Sequence, residues 1–370
     1  MAVPESTRWD ADPHTLAKHE ILEWYLYAWF PILGKHYDEL VVIDGFAGPG
    51  LYSKGEYGSP IIALNAASEQ LRHIRGQVHF HFIEKREDRF EDLERVVSES
   101  SCPSSLETHL YQSRFGDVFP SILDKIEREE DTPPVFAFID PFGFSDVSME
   151  LIHRLLSLPR AEAFTNFAVE SVNRFKEHPN ESIRQEISDL LGRKVSELEF
   201  DEKNAIDDLR GIYTSSLEEK ARYVRPFEMY DEQDRAIYDL FFSTNGREGH
   251  TKMKEAMWRV KPEGDFRFSD ATNPDQRVLF DHEPAPQLLD AIMDRFGNEE
   301  KVLTQKIRSF VLEETAFLKK HFTQAMRKGE EERYFRVRKE KATGDKRTTG
   351  FPDDVIIDFE NPPPKEPGLF

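Results

Sequence analysis

Val41-Val42-Ile43-Asp44-Gly45-Phe46-Ala47-Gly48-Pro49-Gly50 is the stretch on which the fold turns. Four residues, Leu40–Ile43, form a short unbroken apolar run, as expected of a strand buried on both faces of a parallel sheet. The run ends in an acid and a glycine-rich turn, where the missing Cβ lets backbone approach a ligand closely. A tight turn without a ligand reads the same way in isolation. The loop continues through Gly55 and Gly58 to Ser59-Pro60, a Ser suited to an N-cap followed by a Pro suited to a first helical turn.

Similar apolar runs follow at 78–83 and 135–139, with a weaker one at 161–168. Helical patterns separate them at 60–75, 86–98, 118–129 and 148–157. Strands alternating with helices of this length predict βαβ units and a parallel sheet. Upstream, Ile21, Leu22, Tyr25, Leu26, Trp29, Ile32 and Leu33 recur at helical intervals within 15–33, predicting an amphipathic helix that packs on the core.

Three further strand ends carry chemistry. Phe80-His81-Phe82-Ile83-Glu84 closes with a carboxylate placed to accept hydrogens from ribose hydroxyls, although a strand-ending acid is often only solvated. After an apparent short strand near 108–112, Gly116-Asp117-Val118 offers an acid for an adenine amine and an apolar side chain for the ring face. Asp117 equally suits a cap on a helix over 119–129. Val135–Ile139 ends in Asp140-Pro141-Phe142-Gly143, where a carboxylate and a proline carbonyl can accept the hydrogens of an amine and Phe142 can stack on a base.

These four turns fall at the carboxyl ends of successive strands, and as a set they resemble class I S-adenosylmethionine-dependent methyltransferases, especially the amino-methylating group. The wider sequence resembles the three-Cys-motif partner protein (TcmP) family through Lys18-His19 with Tyr25, Leu26 and Trp29, through 44–50, Gly58-Ser59-Pro60 and 140–143, and through 238–244 with Gly249 and Met253. The resemblance implies that Asp44, Gly45, Phe46, Ala47, Gly48 and Gly50 line the methionine end of S-adenosylmethionine, Glu84 its ribose, and Asp117 with Val118 its adenine. It implies that Asp140, Pro141 and Phe142 hold the methyl acceptor, and that transfer is in-line to nitrogen, with no metal. Phe142 departs from the amino-methyltransferase pattern, which usually has a second proline there. The family is named for a separate three-cysteine, radical-SAM-like partner; a single Cys, Cys102, agrees with a cluster residing elsewhere and excludes an internal disulfide or a Cys-built zinc site. Lys18 and His19 could face the pocket or serve the surface or core.

The chain of 370 residues carries a net charge of −21, which opposes indiscriminate polyanion binding. Residues 319–347 are locally basic, with eleven Lys/Arg against five acids. From 171 to 230 the sequence reads charged and helical; from 286 it reads as three helices, a strand, a basic loop at 341–350 and a last strand, the order of a winged helix. Lys319, Lys320, Arg327 and Lys328 on the third helix, with Arg336, Arg338, Lys346 and Arg347, would contact phosphates; a solvated surface or a protein-docking face reads similarly. The domain expectation is an N-terminal helix over 1–35, a Rossmann-like methyltransferase domain over 36–283 with a helical insertion at about 171–232, and a winged-helix-like domain over 284–370. No apolar run of membrane-spanning length exists, and the start lacks a basic segment followed by an apolar one, so a cytoplasmic, bacterial protein with no membrane contact is expected. A methyltransferase-shaped interaction subunit that performs no chemistry remains the alternative.

Overall fold

The computed structural model describes residues 4–100, 102–201, 203–261, 267–270, 284–341 and 350–359. They belong to two units, one assigned Met1–Val260 with Arg267–Pro274 and the other Lys261–Phe266 with Asp275–Phe370.

In the first unit, α1 (Pro13–Leu33) places Ile21, Leu22, Tyr25, Leu26 and Trp29 in the core as read from the sequence, adds Phe30, and leaves Ile32 and Leu33 half-buried. The alternation then runs β1 (Glu39–Asp44), α2 (Ser59–Glu69), β2 (Gln77–Glu84), α3 (Glu87–Glu99), β3 (Leu106–Gln112), α4 (Phe115–Ile126), β4 (Val135–Ile139), α5 (Met149–Leu156) and β5 (Ala161–Phe167). Every residue of β4 and β5 is buried, which explains the unbroken apolar character of β4, while β5 also buries Glu162, Thr165 and Asn166. Three helices follow, α6 (Val169–Phe175), α7 (Glu181–Leu191) and α8 (Ala205–Glu218), then β6 (Tyr223–Tyr230), β7 (Ala236–Thr244), α9 (Arg247–Val260) and β8 (Arg267–Ser269).

The sheet order is β3-β2-β1-β4-β5-β7-β6-β8. The first five strands are parallel, and β7 runs antiparallel to both β5 and β6. The chain therefore builds outward from β1 to β3, returns to place β4 on the other side of β1, and leaves a topological switch point at the carboxyl ends of β1 and β4. This is the doubly wound, Rossmann-like arrangement expected.

One stretch departs from its sequence reading. The helical pattern assigned through residue 230 stops at Glu218, and Tyr223–Tyr230 is a sheet strand. Tyr223, Phe227 and Met229 on one face are buried while the intervening residues stay half-exposed, so its polar content reflects a partly wet face rather than helical periodicity. The helix expected at 60–75 likewise ends at Glu69, followed by a single 3₁₀ turn.

The second unit runs α10 (Pro284–Phe296), β9 (Val302–Leu303), α11 (Thr304–Ser309), α12 (Lys319–Glu331), β10 (Arg336–Lys341) and β11 (Val355–Asp358), with β11 central in a three-stranded antiparallel sheet. Its core is its own: Leu288, Leu289, Ile292, Phe296, Ile307, Phe322, Met326, Phe335, Val355 and Ile357 pack together. Among the described residues, no helix is long and apolar enough to cross a membrane.

Candidate functional site

The turns after β1, β2 and β4 meet at the switch point, with Ser113–Phe115 at the start of α4 beside them. Asp44 ends β1 with its side chain 3% exposed; one oxygen accepts the Phe46 N–H at 3.1 Å, and the other, Oδ2, has no partner. Burial pushes its pKa up to about 7. The following loop is tied down by the Gly45 N–H to the Phe138 carbonyl and the Ala47 N–H to the Ile83 carbonyl, both at 2.9 Å. Gly48 and Gly50 take φ of +63° and +78°, the left-handed region that glycine enters without penalty. Gly45 is needed for space: a Cβ there would lie 2.7 Å from the Phe115 ring.

Glu84 ends β2 as a pinned carboxylate. Oε2 accepts the Gly48 N–H at 2.9 Å and Oε1 the Arg86 N–H at 2.7 Å, so the acid is fixed in rotamer while keeping spare lone pairs. A cleft of about 350 Å³ opens beside it, walled by Gly45, Phe46, Ile83, Arg89, Phe115, Pro141 and Phe142. A narrower space of about 30 Å³ adjoins it at Phe46 and Phe142, bounded by Ala47, Gly48, Gly50, Tyr52, Ser59, Trp9, His19 and Asp140. The two share walls and form the crevice that this topology leaves open to ligands.

Asp140 follows β4 and is held from two sides. The Lys18 ammonium pairs with Oδ2, and the Asn166 amide at the end of β5 donates to Oδ1 at 2.6 Å. Lys18 is 5% exposed, so α1 sends a buried cation into the acidic turn. The next residue, His19, lines the narrow space, and its buried Nδ1 has no partner. Burial, reinforced by the neighbouring Lys18 charge, pulls its pKa down to about 3 and keeps the imidazole neutral.

The segment before α1 completes the wall. Trp9 stands edge-on to Tyr52 at 5.3 Å and to Phe142 at 5.6 Å, and the Arg89 guanidinium lies 4.4 Å from its ring. Pro4 C=O accepts from Arg86 and Arg89, Thr7 donates to Asp88, Arg8 pairs with Asp92, and Trp9 C=O accepts the Ser53 N–H at 2.9 Å.

Of the residues expected at this site, Asp44–Gly50, Glu84 and Asp140–Phe142 are brought together. Asp117 and Val118 are not among the cleft's walls. Helix α4 begins at Phe115, four residues earlier than read, so Asp117 is an exposed first-turn acid rather than a cap, and Val118 packs toward the core. Ser145 and Asp146 reach the cleft instead; Asp146 takes φ +70° and is paired to Arg114 at 2.7 Å. Trp9, Tyr52, Arg89 and Asn166 escaped the sequence reading because no local pattern distinguishes them from core or surface residues.

In the second unit Lys319, Lys320, Arg327 and Arg336 are exposed. Lys328 pairs with Glu332 at 2.9 Å, and Arg338 lies 4.0 Å from Asp358. Lys346 and Arg347 lie outside the described residues.

No family model and no curated protein matches the chain. Among solved structures, it is similar to the O-methyltransferase TomG of Streptomyces achromogenes, involved in tomaymycin synthesis and solved with SAM, at 14% identity over 60% of this chain and 79% of that one, with a TM-score of 0.33. An O-methyltransferase of Bacillus cereus solved with SAH gives 14% identity, 64% and 82% coverage and a TM-score of 0.35. Human methyltransferase-like protein 13, also solved with SAH, gives 10%, 72%, 96% and 0.34.

Proposed function

We propose that the first unit is a methyltransferase-like domain that binds S-adenosylmethionine and transfers methyl to an amino nitrogen of a nucleic-acid base. In this reading the protein works with a separate three-cysteine, radical-SAM-like partner, as the TcmP resemblance implies. The observation that carries the proposal is the meeting of Gly45-Phe46, the Gly48–Gly50 turn, Glu84 and Pro141-Phe142 around one crevice at the switch point, with the Asp44 carboxylate buried directly behind the turn.

The donor set fits the cofactor. Its ammonium group suits the unpartnered, buried Asp44 Oδ2, its ribose hydroxyls the pinned Glu84, and its adenine the apolar walls Phe46, Ile83 and Phe115. Arg89, buried with its Nε unpartnered, suits the carboxylate. When bound, the cofactor supplies an electrophilic methyl group on a sulfonium. Asp140, oriented by Lys18 and Asn166, keeps free lone pairs for the hydrogens of an acceptor amine, and Phe142, partly exposed, offers a face for its base. Neutral His19 Nδ1 then takes the proton that a newly alkylated, cationic nitrogen sheds; a weak base suffices because that nitrogen is strongly acidic.

For the second unit we read the element order and the exposed Lys319, Lys320, Arg327 and Arg336 as a winged-helix-like module that contacts phosphates. A second reading of the first unit is favoured by the Lys18–Asp140 pair, which occupies the acid expected to receive the amine, and by the small space beside it: a catalytically silent subunit serving the three-cysteine partner.

Calorimetry with S-adenosylhomocysteine tests cofactor use. Glu84→Ala is expected to weaken binding by at least about tenfold, since it removes a hydrogen bond to a charged acceptor and orphans two N–H groups. Folded protein that binds nothing, or a variant equal to wild type, overturns the reading. Labelled cofactor offered to DNA, RNA and protein then separates the readings: methyl incorporation lost in Asp140→Ala with binding retained marks an enzyme, and no incorporation by wild type marks the silent subunit.

A further inference from the structure

Away from the crevice, the outer pair of strands gathers three histidines and an acid on one face. Residues alternate sides along a strand, so His79 and His81 of β2 share a face, as do Glu107, His109 and Tyr111 of β3. Parallel register sets His79 opposite Glu107 and His81 opposite His109. His79 Nδ1 lies 3.3 Å from one Glu107 oxygen, and His109 Nε2 lies 3.6 Å from the other. Donor atoms of these three residues all fall within 4.8 Å of one another.

Two ligands bound at about 2.0–2.2 Å to a tetrahedral cation stand roughly 3.4 Å apart; each imidazole stands near that spacing from one of the two Glu107 oxygens, and the two imidazole donors lie within 4.8 Å of each other. Two imidazoles and a carboxylate form a borderline donor set that suits zinc and its first-row neighbours better than calcium or magnesium, which prefer oxygen throughout. Partial exposure of all three leaves room for water as a fourth ligand. Behind them, His81 stacks on His109 with ring centres 4.7 Å apart and meets the Tyr111 hydroxyl at 3.0 Å, fixing the ring next to the donors.

We propose that His79, Glu107 and His109 form a divalent transition-metal site, suited to zinc, that clips edge strand β3 to β2. The position gives the clip its role. β3 ends the eight-stranded sheet and has one neighbour, so cross-strand ligation adds a second tie to an edge strand. His79 lies five residues before Glu84, about 16 Å along the strand at ~3.3 Å per residue, so the metal stands clear of the crevice. Lys125 of α4 acts electrostatically on His81 and His109 from the same side and opposes cation binding.

The test uses the full chain, freed of metal by a chelator and titrated with zinc alone by calorimetry, with a thermal melt before and after. One zinc per chain and a higher melting temperature are expected. His79→Ala with His109→Ala should abolish both effects, Glu107→Gln should weaken binding at least about tenfold, and Lys125→Met should tighten it. If the double variant fails to fold, Glu107→Gln and Lys125→Met decide: both side chains are changed without removing a histidine. No zinc binding by wild type, or affinity unmoved by Glu107→Gln, overturns the proposal. S-adenosylhomocysteine binding is expected to be unaffected by the Glu107 change, so failure here is distinct from failure of the cofactor reading.

Discussion

Asp44 couples the crevice to pH. Its carboxyl titrates near pH 7 when folded against an ordinary 3.8. Between those values the folded protein keeps a proton that the unfolded chain has released, so stability falls as pH rises through that window and levels off above it. At ~1.4 kcal/mol per unit the loss amounts to a few kcal/mol. Asp44→Asn should therefore flatten the dependence, seen as urea midpoints that differ less between about pH 5 and about pH 8 than in wild type. A cationic group placed beside Oδ2 would ionise the acid, so ligand binding near neutrality should release a proton, visible as a buffer-dependent heat. Acids at strand ends were legible from sequence because an apolar run that stops at Asp or Glu announces its own boundary. His19 and Lys18 were not, because a polar pair on an amphipathic helix looks the same whether it meets solvent or a buried carboxylate.

Helix α1 is joined to the β4 turn by the Lys18–Asp140 pair, with side-chain exposures of 6% and 18%. Removing one partner leaves the other charged and shielded from water. Lys18→Met alone should cost about 3–5 kcal/mol, whereas Lys18→Met with Asp140→Asn should recover most of the loss, a non-additivity that a double-mutant cycle in urea would measure. Additive effects would show that the pair contributes little. At this scale the sequence was most readable where a two-sided burial is filled by apolar residues alone, as in β4, and less so at β5, where Glu162, Thr165 and Asn166 interrupt the run. It was least readable at β6, where one wet face brought charges into a strand, and at the start of α4, where no Ser, Thr, Asp or Asn caps the helix: Arg114 precedes it. The cluster on β2 and β3 was equally visible in the alternation of His79, His81, Glu107 and His109, but a reading tuned to apolar runs passes over the polar side of the same strand.

The whole chain carries −21, yet its second unit presents exposed Lys319 and Lys320 at the start of α12, with Arg327 further along it. If this face meets phosphate, Lys319→Gln with Lys320→Gln should weaken DNA binding across all sequences and lower the salt slope by about 2, one for each ammonium removed from the phosphate backbone. An unchanged slope would assign the face to another partner. The sequence reads a short strand near 265–268, and β8 forms at Arg267–Ser269, but its pairing with β6 was not legible, since three residues offer no period to read.

Trp9 and the polar ties that hold Pro4–Asp10 across α3 and the 51–59 loop have a corollary. Trp9 is one wall of the narrow space beside Asp140, so an occupant that reaches it would meet an indole whose position depends on these tethers. A substitution at Arg8 or Thr7 would then loosen that wall without changing any residue that lines the space.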